Sequence, residues 1–294
     1  MKASKFTYYE PTSVEQAVMM LADVADQDGR ILAGGQTLVP AMALRFAQPA
    51  YLIDINGIAA LREVAEGDGR LRIGAGVRHA AFHQRVTSGP LGDLLSEVVQ
   101  HIAHLPIRTR GTFCGSIANA DPASEWCLVS VTLDATLHAR SMAGARDIDA
   151  AGFFQGYMTT ALAADELLVA ASLPSLPPTA RYGFEEVSRR AGDFAQAMAL
   201  VVFELRDGRM HDVRIGVGGV ESTPRRIAAA EALLQGQVPS DALWEQAARA
   251  ASADVAPVDA DAQGQQYRRH LTHTVVRRAL ARACGTAHPA TSQG

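Results

Sequence analysis

A glycine pair inside the stretch ILAGGQTLVP, Ile31–Pro40, has the residue types and spacing of an anion site. Successive glycines after a strand let consecutive backbone N–H groups point the same way, which forms a concave nest for phosphate oxygens. Gln36 and Thr37 can add side-chain donors. The same glycines also suit a tight turn between two strands, so the local pattern leaves both interpretations open.

Two familiar nucleotide motifs do not fit the chain. The first loop lacks the Gly-Lys-[Ser/Thr] ending of an ATP-binding P-loop, which disfavours ATP. Gly74 and Gly76 in LRIGAGVRH resemble the start of a dinucleotide fingerprint, but His79 occupies the position of its third glycine. A side chain of that size would prevent close helix–strand packing, so a turn at the end of a strand is favoured there.

A second unusual stretch, IRTRGTFCGSIANADPASE, covers Ile107–Glu125. Its small residues and hydroxyls leave backbone within reach of a flat ligand, and Asp121 and Glu125 could accept hydrogen bonds from ribose or ribityl hydroxyls. The local alternative is a solvated loop in which Asp121 caps a helix that starts at Pro122. Taken alone, the stretch favours that alternative.

Other reactive side chains give no support for a catalytic or metal site. His79 with His83, and His101 with His104, have spacings that place two imidazoles on one helical face. Neither pair has a third ligand in register, so the four are predicted to be exposed or core-edge histidines and no metal is expected. No serine has a Gly-x-Ser-x-Gly setting, so a nucleophilic hydrolase is not expected either.

The helices and strands predicted around these stretches indicate an α+β protein of two domains. A capped helix after Pro11 is followed by strands at Ile31–Gly34 and at Tyr51–Ile55 and by a hairpin around Gly67–Arg70. Residues 77–105 have a helical pattern, and a proline-rich linker follows Leu173. Beyond it, three strands precede three helices, which is typical of an α+β layer. The end, Thr286–Gly294, is predicted to be disordered.

Composition favours a small-molecule partner in a reducing compartment. Lys and Arg number 27 against 31 Asp and Glu, which gives no reason to expect nucleic acid or an anionic membrane as a partner. The three cysteines are widely spaced and form no Cys-x-x-Cys pair, and no apolar stretch is long enough to span a membrane. A cytoplasmic protein is expected.

Four stretches in this order resemble one family. ILAGGQTLVPAMALR, IRTRGTFCGSIANADPASE, SRRAGDFAQA and GGVESTPRR together resemble the FAD-binding medium subunit of molybdenum hydroxylases, the xanthine dehydrogenase and carbon monoxide dehydrogenase family. The resemblance implies an FAD-binding domain of the vanillyl-alcohol-oxidase (PCMH) type over residues 1–176, with subdomains of about 1–57 and 58–176. It implies a C-terminal domain over 180–294, with a three-stranded antiparallel sheet and a helical bundle.

The resemblance also implies which residues bind FAD. The first loop would hold the diphosphate through backbone N–H groups, and the second stretch would line the diphosphate, ribityl and adenosine side, while two apolar residues would lie near the flavin ring. These residues are Leu32, Ala33, Gly34, Gly35, Gln36, Thr37, Leu38, Ile102, Thr112, Gly115, Ser116, Asn119, Asp121, Glu125 and Leu168. Cys114 departs from the glycine usual in the family, so either this position has regular backbone or the loop is shifted.

The implied function is electron transfer. In this family a large subunit with a molybdenum cofactor oxidises the substrate, and a small subunit with two [2Fe–2S] clusters carries the electrons onward. The medium subunit holds FAD, here expected to be non-covalent, and passes electrons to NAD, a quinone or a cytochrome, usually in an (αβγ)2 assembly. This chain would then carry no catalytic residue of its own. A stand-alone FAD oxidase and a non-enzymatic scaffold are the alternatives.

Overall fold

The structure is a computed structural model that describes residues 2–258 and 261–285. The predicted disordered end, Thr286–Gly294, lies outside the described residues. The strands are β1 (Thr7–Tyr9), β2 (Gly29–Leu32), β3 (Tyr51–Asp54), β4 (Val64–Gly67), β5 (Arg70–Gly74), β6 (Thr136–Ser141), β7 (Gly144–Asp149), β8 (Phe154–Gly156), β9 (Thr159–Thr160), β10 (Leu167–Pro174), β11 (Ala180–Val187), β12 (Ala197–Arg206), β13 (Arg209–Gly218) and β14 (Arg225–Arg226).

The helices complete the secondary structure of the same residues. The α-helices are α1 (Val14–Val24), α2 (Leu38–Ala43), α3 (Gly89–Val98), α4 (Leu105–Arg108), α5 (Phe113–Asn119), α6 (Glu125–Thr132), α7 (Ala150–Phe153), α8 (Ala228–Leu234), α9 (Asp241–Asp254) and α10 (Ala262–Ala283). Short 3-10 helices cover Ala25–Gln27, Ile55–Gly57, Ala59–Arg62 and His79–His83. Within residues 2–258 and 261–285, no helix combines the length and apolar character needed to cross a membrane.

The chain forms two compact units, each discontinuous in sequence. The first contains Met1–Val86, His104–Ala120 and Asp134–Pro174, and the second contains Thr87–Ala103, Asp121–Leu133 and Ser175–Gly294. The predicted domains, 1–176 and 180–294, are continuous instead, and their boundaries stay a prediction. The α+β fold class is confirmed, because both units combine helices with sheets.

The first unit begins with a small parallel sheet in the order β1-β3-β2. Helix α1 connects β1 to β2, and the Ser13 hydroxyl caps it by accepting a hydrogen bond from the Gln16 N–H at 3.2 Å. The helix buries its apolar face, which includes Ala17, Val18 and Leu21. Because β2 and β3 run parallel, their carboxyl ends lie at the same edge of the sheet, where the first glycine loop begins.

The larger sheet of the first unit is antiparallel, in the order β4-β5-β10-β6-β7. The predicted hairpin is present, with a tight turn in which Asp68 and Gly69 have φ of 51° and 69°. Strand β10 is central and almost fully buried, since every residue from Leu167 to Leu173 lies in the core. Helix α5 packs against β5 and β10 and is thereby fixed to the middle of this sheet.

The second unit is built on an antiparallel sheet in the order β11-β12-β13-β14. Its three long strands match the predicted three-stranded sheet, and the two-residue strand β14 adds a fourth at the edge. Helices α8, α9 and α10 pack with this sheet around a core that includes Phe203, Trp244 and Val276. The last of the three predicted helices is α10, which begins at Ala262 because Asp261 caps it by accepting from the Gly264 N–H.

The predicted helical segment over residues 77–105 is wrong. The chain forms the 3-10 helix His79–His83 and then α3, which starts only after Ser88. Gly89 has φ of 72° and Pro90 follows it, so the backbone cannot be α-helical through this point. Ala103, with φ of 42°, interrupts the pattern again before α4. Apolar periodicity alone does not reveal either break.

Candidate functional site

The first loop, Leu32–Leu38, connects the carboxyl end of β2 to the start of α2. Gly35 has φ of 69°, a left-handed conformation that favours glycine. The Gln36 side chain turns back on the loop and donates to the Gly34 carbonyl at 2.9 Å. Thr37 stands at the N-cap position of α2 without making a side-chain capping bond. Both polar side chains therefore leave the backbone donors of the loop unoccupied.

Consecutive backbone N–H groups of this loop have no hydrogen-bond acceptor among the described residues. Among the hydrogen bonds of the described residues, none is donated by the N–H groups of Gly34–Leu38, although the Val39 N–H already bonds the Gly35 carbonyl at 3.0 Å. A half-buried backbone donor needs an acceptor from water or from a ligand. Consecutive free donors beside a glycine of positive φ form the kind of nest that binds a diphosphate.

The second segment, Arg110–Asn119, becomes helical at Phe113, where α5 begins. Thr112 caps α5, and its hydroxyl accepts the Gly115 N–H at 3.0 Å. The Phe113 N–H donates to the Val77 carbonyl at 3.0 Å, and the Phe113 ring packs against Phe82 with centroids 5.6 Å apart. The start of α5 is therefore anchored to the chain that follows β5.

The structure brings the first loop and the second segment together. A Cβ built on Gly34 would lie 2.5 Å from both the Arg110 carbonyl oxygen and the Gly111 Cα, closer than side-chain atoms tolerate. A Cβ on Gly115 would lie 3.8 Å from the Cβ of Ala33. Gly34 thus allows the two backbones to touch, and the two glycine-containing stretches lie side by side.

Cys114 has regular helical backbone within α5, which answers the question raised by its departure from glycine. Its side chain is buried, and Sγ lies 3.6 Å from the Ile73 carbonyl oxygen. Burial raises the pKa of the Cys114 thiol to about 12. The thiol is consequently protonated at neutral pH and unsuited to forming a covalent link.

The remaining predicted residues of the first unit lie on α5 and β10. Ser116 and Asn119 are half-buried and three residues apart, so they share a face of α5. Leu168 is buried on β10, the strand against which α5 packs. These positions add hydroxyl, amide and apolar groups to α5 and to the strand on which it packs.

Three predicted residues, Ile102, Asp121 and Glu125, belong to the second unit. Asp121 does not cap a helix at Pro122: its carboxylate accepts the Ala123 N–H at 2.9 Å, and α6 begins at Glu125. The local interpretation as a helix cap is therefore wrong, because Asp121 closes a short turn with its own backbone instead.

Glu125 and Ile102 are buried within the second unit. Burial raises the pKa of the Glu125 carboxyl to about 7, and the nearby charge of Asp121 acts in the same direction. Near neutral pH this carboxyl can therefore donate as well as accept a hydrogen bond. Ile102 offers only an apolar surface, as its predicted place near a flavin ring requires.

His79 and the rejected glycine motif have structural roles, and the prediction that His79 is exposed or at the core edge is wrong. His79 is 4% exposed and packs under Gly111, and burial followed by the charge of Arg78 lowers its pKa to about 4. A Cβ on Gly74 would lie 2.4 Å from the Leu61 carbonyl oxygen, so this glycine serves close packing of backbone. In the part of the chain that the structure describes, no three His, Cys, Asp or Glu side chains converge to hold a metal ion.

Sequence reasoning missed Asn56, whose side chain contacts the first loop. Asn56 lies just after β3, and its amide Nδ2 donates to the Ala33 carbonyl at 2.8 Å. The same Nδ2 donates to the Asp54 carboxylate at 2.5 Å. A signal was present in the sequence, because Asp54 and Asn56 are polar residues at the carboxyl end of a buried strand, where parallel sheets carry their binding residues.

A parallel sheet with free N–H donors at its carboxyl edge, backed by a second glycine segment, defines a nucleotide-cofactor-binding protein. Comparison with known proteins gives the particular family. Residues 4–176 match the family model of the FAD binding domain in molybdopterin dehydrogenase, and residues 182–283 match that of the CO dehydrogenase flavoprotein C-terminal domain. The chain belongs to this family of FAD-binding medium subunits, and it is an oxidoreductase flavoprotein with FAD as its cofactor.

Individual relatives agree over nearly the full length. The chain is 35% identical to the nicotine 6-hydroxylase medium subunit of Paenarthrobacter nicotinovorans, with 96% of this chain and 99% of the relative covered. It is 37% identical to the 6-hydroxypseudooxynicotine dehydrogenase complex subunit alpha of the same organism, with 98% of each covered. A solved structure of carbon monoxide dehydrogenase from Hydrogenophaga pseudoflava has a TM-score of 0.89 at 33% identity, over 98% of this chain and all of that one. These likenesses favour a subunit over a stand-alone oxidase.

Proposed function

We propose that the first loop and the second segment hold FAD, with the diphosphate on the backbone N–H groups of Gly34–Leu38. The observation that carries the proposal is that these donors are unpaired among the described residues and lie where Gly34 meets the Arg110–Gly111 backbone. The donor set fits the group, because a diphosphate needs several N–H donors and close backbone approach. Bound FAD supplies reversible two-electron chemistry that no side chain can provide.

The other predicted residues serve the remaining parts of the cofactor. Ser116, Asn119, Asp121 and Glu125 offer hydroxyl, amide and carboxyl groups for the ribityl and ribose hydroxyls. Ile102 and Leu168 offer apolar surface for the flavin ring, while Thr112 and Gly115 shape the start of α5. Each of these assignments rests on side-chain chemistry and on the resemblance of the two stretches to the family.

FAD is held without a covalent bond in this proposal. The first loop contains neither cysteine nor histidine, and Cys114 is a buried, protonated thiol that contacts the Ile73 carbonyl oxygen. A covalent flavin link requires a reactive nucleophile, and neither segment offers one.

The chain works as the electron outlet of a larger complex. It accepts electrons from a small partner with two [2Fe–2S] clusters and delivers them to NAD, a quinone or a cytochrome, while a large molybdenum subunit oxidises the substrate. We expect an (αβγ)2 assembly in the cytoplasm. The free thiols of Cys114, Cys127 and Cys284 are compatible with that compartment, where disulfides are rare.

Anaerobic stopped-flow absorbance tests this division of labour. The FAD-loaded chain alone is mixed with candidate aldehydes, purines and pyridine-type rings, and then again after addition of both partner subunits. We expect the flavin to stay oxidised in the first case and to be reduced by one substrate in the second. Dithionite, which needs no partner, is the control that the flavin is redox-active. Rapid flavin reduction by an organic substrate in the isolated chain would instead establish a stand-alone oxidase.

A further inference from the structure

Arg78 connects the two segments of the candidate site through one guanidinium group. Nη1 donates to the carbonyl of Arg110, the first residue of the second segment. Nη2 donates to the side-chain oxygen of Asn56 at 2.5 Å, and the amide nitrogen of Asn56 donates to the Ala33 carbonyl at 2.8 Å. A single fork of donors therefore holds the first loop on one side and the Arg110–Gly111 backbone on the other.

Asn56 is itself fixed, so it transmits the position of Arg78 to the first loop. Its backbone N–H donates to the Asp54 carboxylate at 2.8 Å, and Arg62 donates to its backbone carbonyl. The amide oxygen can only accept and the amide nitrogen can only donate, and both ends of the Asn56 side chain are engaged. This arrangement leaves Asn56 one orientation, the one that keeps Ala33 and Arg78 in register.

The surroundings of Arg78 carry an excess of positive charge. Burial lowers the pKa of Arg78, and the neighbouring guanidinium groups of Arg62 and Arg110 lower it further, while Asp54 acts in the opposite direction. The Asp54 carboxylate also accepts the Tyr8 hydroxyl at 2.5 Å, so it is shared. Grouped like charges are unfavourable until an anion approaches them. The free N–H groups of Gly34–Leu38, one residue beyond Ala33, are where a diphosphate would lie under the proposed function.

We propose that Arg78 is the positioning residue of the diphosphate site. It sets the separation of the two backbone segments through Asn56 and Arg110, and its charge, together with those of Arg62 and Arg110, attracts the anionic diphosphate. Arg78 acts through these neighbours, because its two terminal nitrogens donate to the oxygens of Arg110 and Asn56 that position the two backbone segments. The inference rests on the proposed binding of FAD to the first loop.

The test is a titration of the full-length apo chain with FAD at several salt concentrations. Flavin fluorescence reports the amount bound and gives the affinity at each salt concentration. Arg78→Met should weaken FAD binding by about tenfold, as loss of a charge-assisted hydrogen-bonded pair implies, and should flatten the dependence of affinity on salt. Arg78→Lys retains the charge without the fork, so it should weaken binding but keep the salt dependence of the wild type. A purely structural role for Arg78 would leave that dependence unchanged in both variants.

Two further variants separate the link through Asn56 from the charge of Arg78. Asn56→Ala breaks the link to Ala33 but leaves Arg78 charged, so it should weaken FAD binding with an unchanged salt dependence, even if Arg78→Met fails to fold. Arg30→Met is the matched control, because Arg30 lies on the strand leading to the first loop and, among residues 2–258 and 261–285, its ion pair is with Asp28 at the surface. FAD binding of wild-type strength in Arg78→Met and Asn56→Ala would overturn the inference. Failure of the wild type itself to bind FAD would refute the proposed function instead.

Discussion

The first loop and the second segment touch at Gly34, yet their backbones differ in what they leave free. In the first loop the N–H groups of Gly34–Leu38 have no acceptor among the described residues, and Gly35 adopts positive φ. In the second segment Thr112 consumes the N–H of Gly115, and the helix continues regularly through Cys114. The first loop therefore provides donors for an anion. The second segment, which leads into a regular helix, contacts that loop at Gly34 and holds its donors in position.

The comparison also explains why glycine occurs in both segments. Gly35 is needed for its backbone conformation, whereas Gly34 is needed because the Arg110 carbonyl leaves no room for a side chain. Gly115 lies over the Thr112 hydroxyl that caps its own helix. Substitutions at these positions should consequently have different effects on FAD affinity and on the free energy of unfolding.

The largest effect is expected from Gly34→Ala. The added Cβ would meet two backbone atoms at 2.5 Å, and backbone cannot move aside as a flexible side chain can. Overpacking of this kind costs about 1 to 3 kcal/mol, so FAD affinity should fall by up to about a hundredfold. Flavin fluorescence titration measures the loss. Gly67→Ala, at a position with open space around it, is the control and should bind FAD normally.

A smaller loss is expected from Gly35→Val. Valine at φ of 69° is strained, and its Cβ would also lie 3.1 Å from side-chain atoms of Leu32 and Val39. The strain is about 1 to 3 kcal/mol, part of which those side chains relieve by moving, so FAD affinity should drop by about tenfold. Gly69→Val places the same residue at the same φ of 69° in the hairpin between β4 and β5, where a Cβ has open space around it. It should lower stability without changing FAD binding, and equal losses in both variants would refute a local role for Gly35.

Thr112→Val tests the stability of α5 and leaves the N–H donors of the first loop unchanged. The variant keeps the shape of the side chain but removes the oxygen that accepts the Gly115 N–H. Loss of an N-cap should lower the free energy of unfolding by about 1 kcal/mol, with only a modest change in FAD affinity. Urea denaturation of the apo chain gives the first quantity. Thr112→Ser retains the capping oxygen and loses only a buried methyl group. A Val variant as stable as the wild type would contradict the capping role.

The smallest effect on cofactor binding is expected from Cys114→Ala. The thiol is buried and contacts only the protein interior, so FAD affinity should stay within about twofold while stability falls by about 1 kcal/mol. Because its pKa is raised to about 12, Cys114 should also resist alkylation by iodoacetamide at pH 8. Peptide mass spectrometry should find the half-buried Cys284 labelled first. Rapid labelling of Cys114 in the folded chain would contradict its assignment as a structural thiol.

Much of the fold was predictable because its signals are local. The Asp68-Gly69 hairpin follows from turn chemistry, and α10 follows from a long periodic pattern with a capping residue. The helix predicted over residues 77–105 failed because Gly89 and Ala103 take positive φ inside an otherwise helical pattern. The helix cap predicted at Asp121 is absent because the same side chain that caps a helix can also close a turn.

The candidate site was predictable only in part. The two glycine stretches were recognised by their resemblance to a family, and their contact through Gly34 has a physical cause that the sequence does not state. Asn56 and Arg78 escaped notice because each acts through residues distant in sequence: Ala33, Arg110 and each other. A single sequence records no such long-range pairs, since they depend on the parallel sheet that brings the segments to one edge.

Non-covalent binding of FAD by this chain is tested most directly by its flavin content before and after acid precipitation. We expect the chain reconstituted with FAD to retain an equimolar amount after gel filtration, and acid to release all of it into the supernatant as intact FAD. The donors of the first loop bind by hydrogen bonds alone, so nothing holds the cofactor once the fold is lost. A chain that retains no flavin, or a precipitate that keeps its yellow colour, would contradict the account.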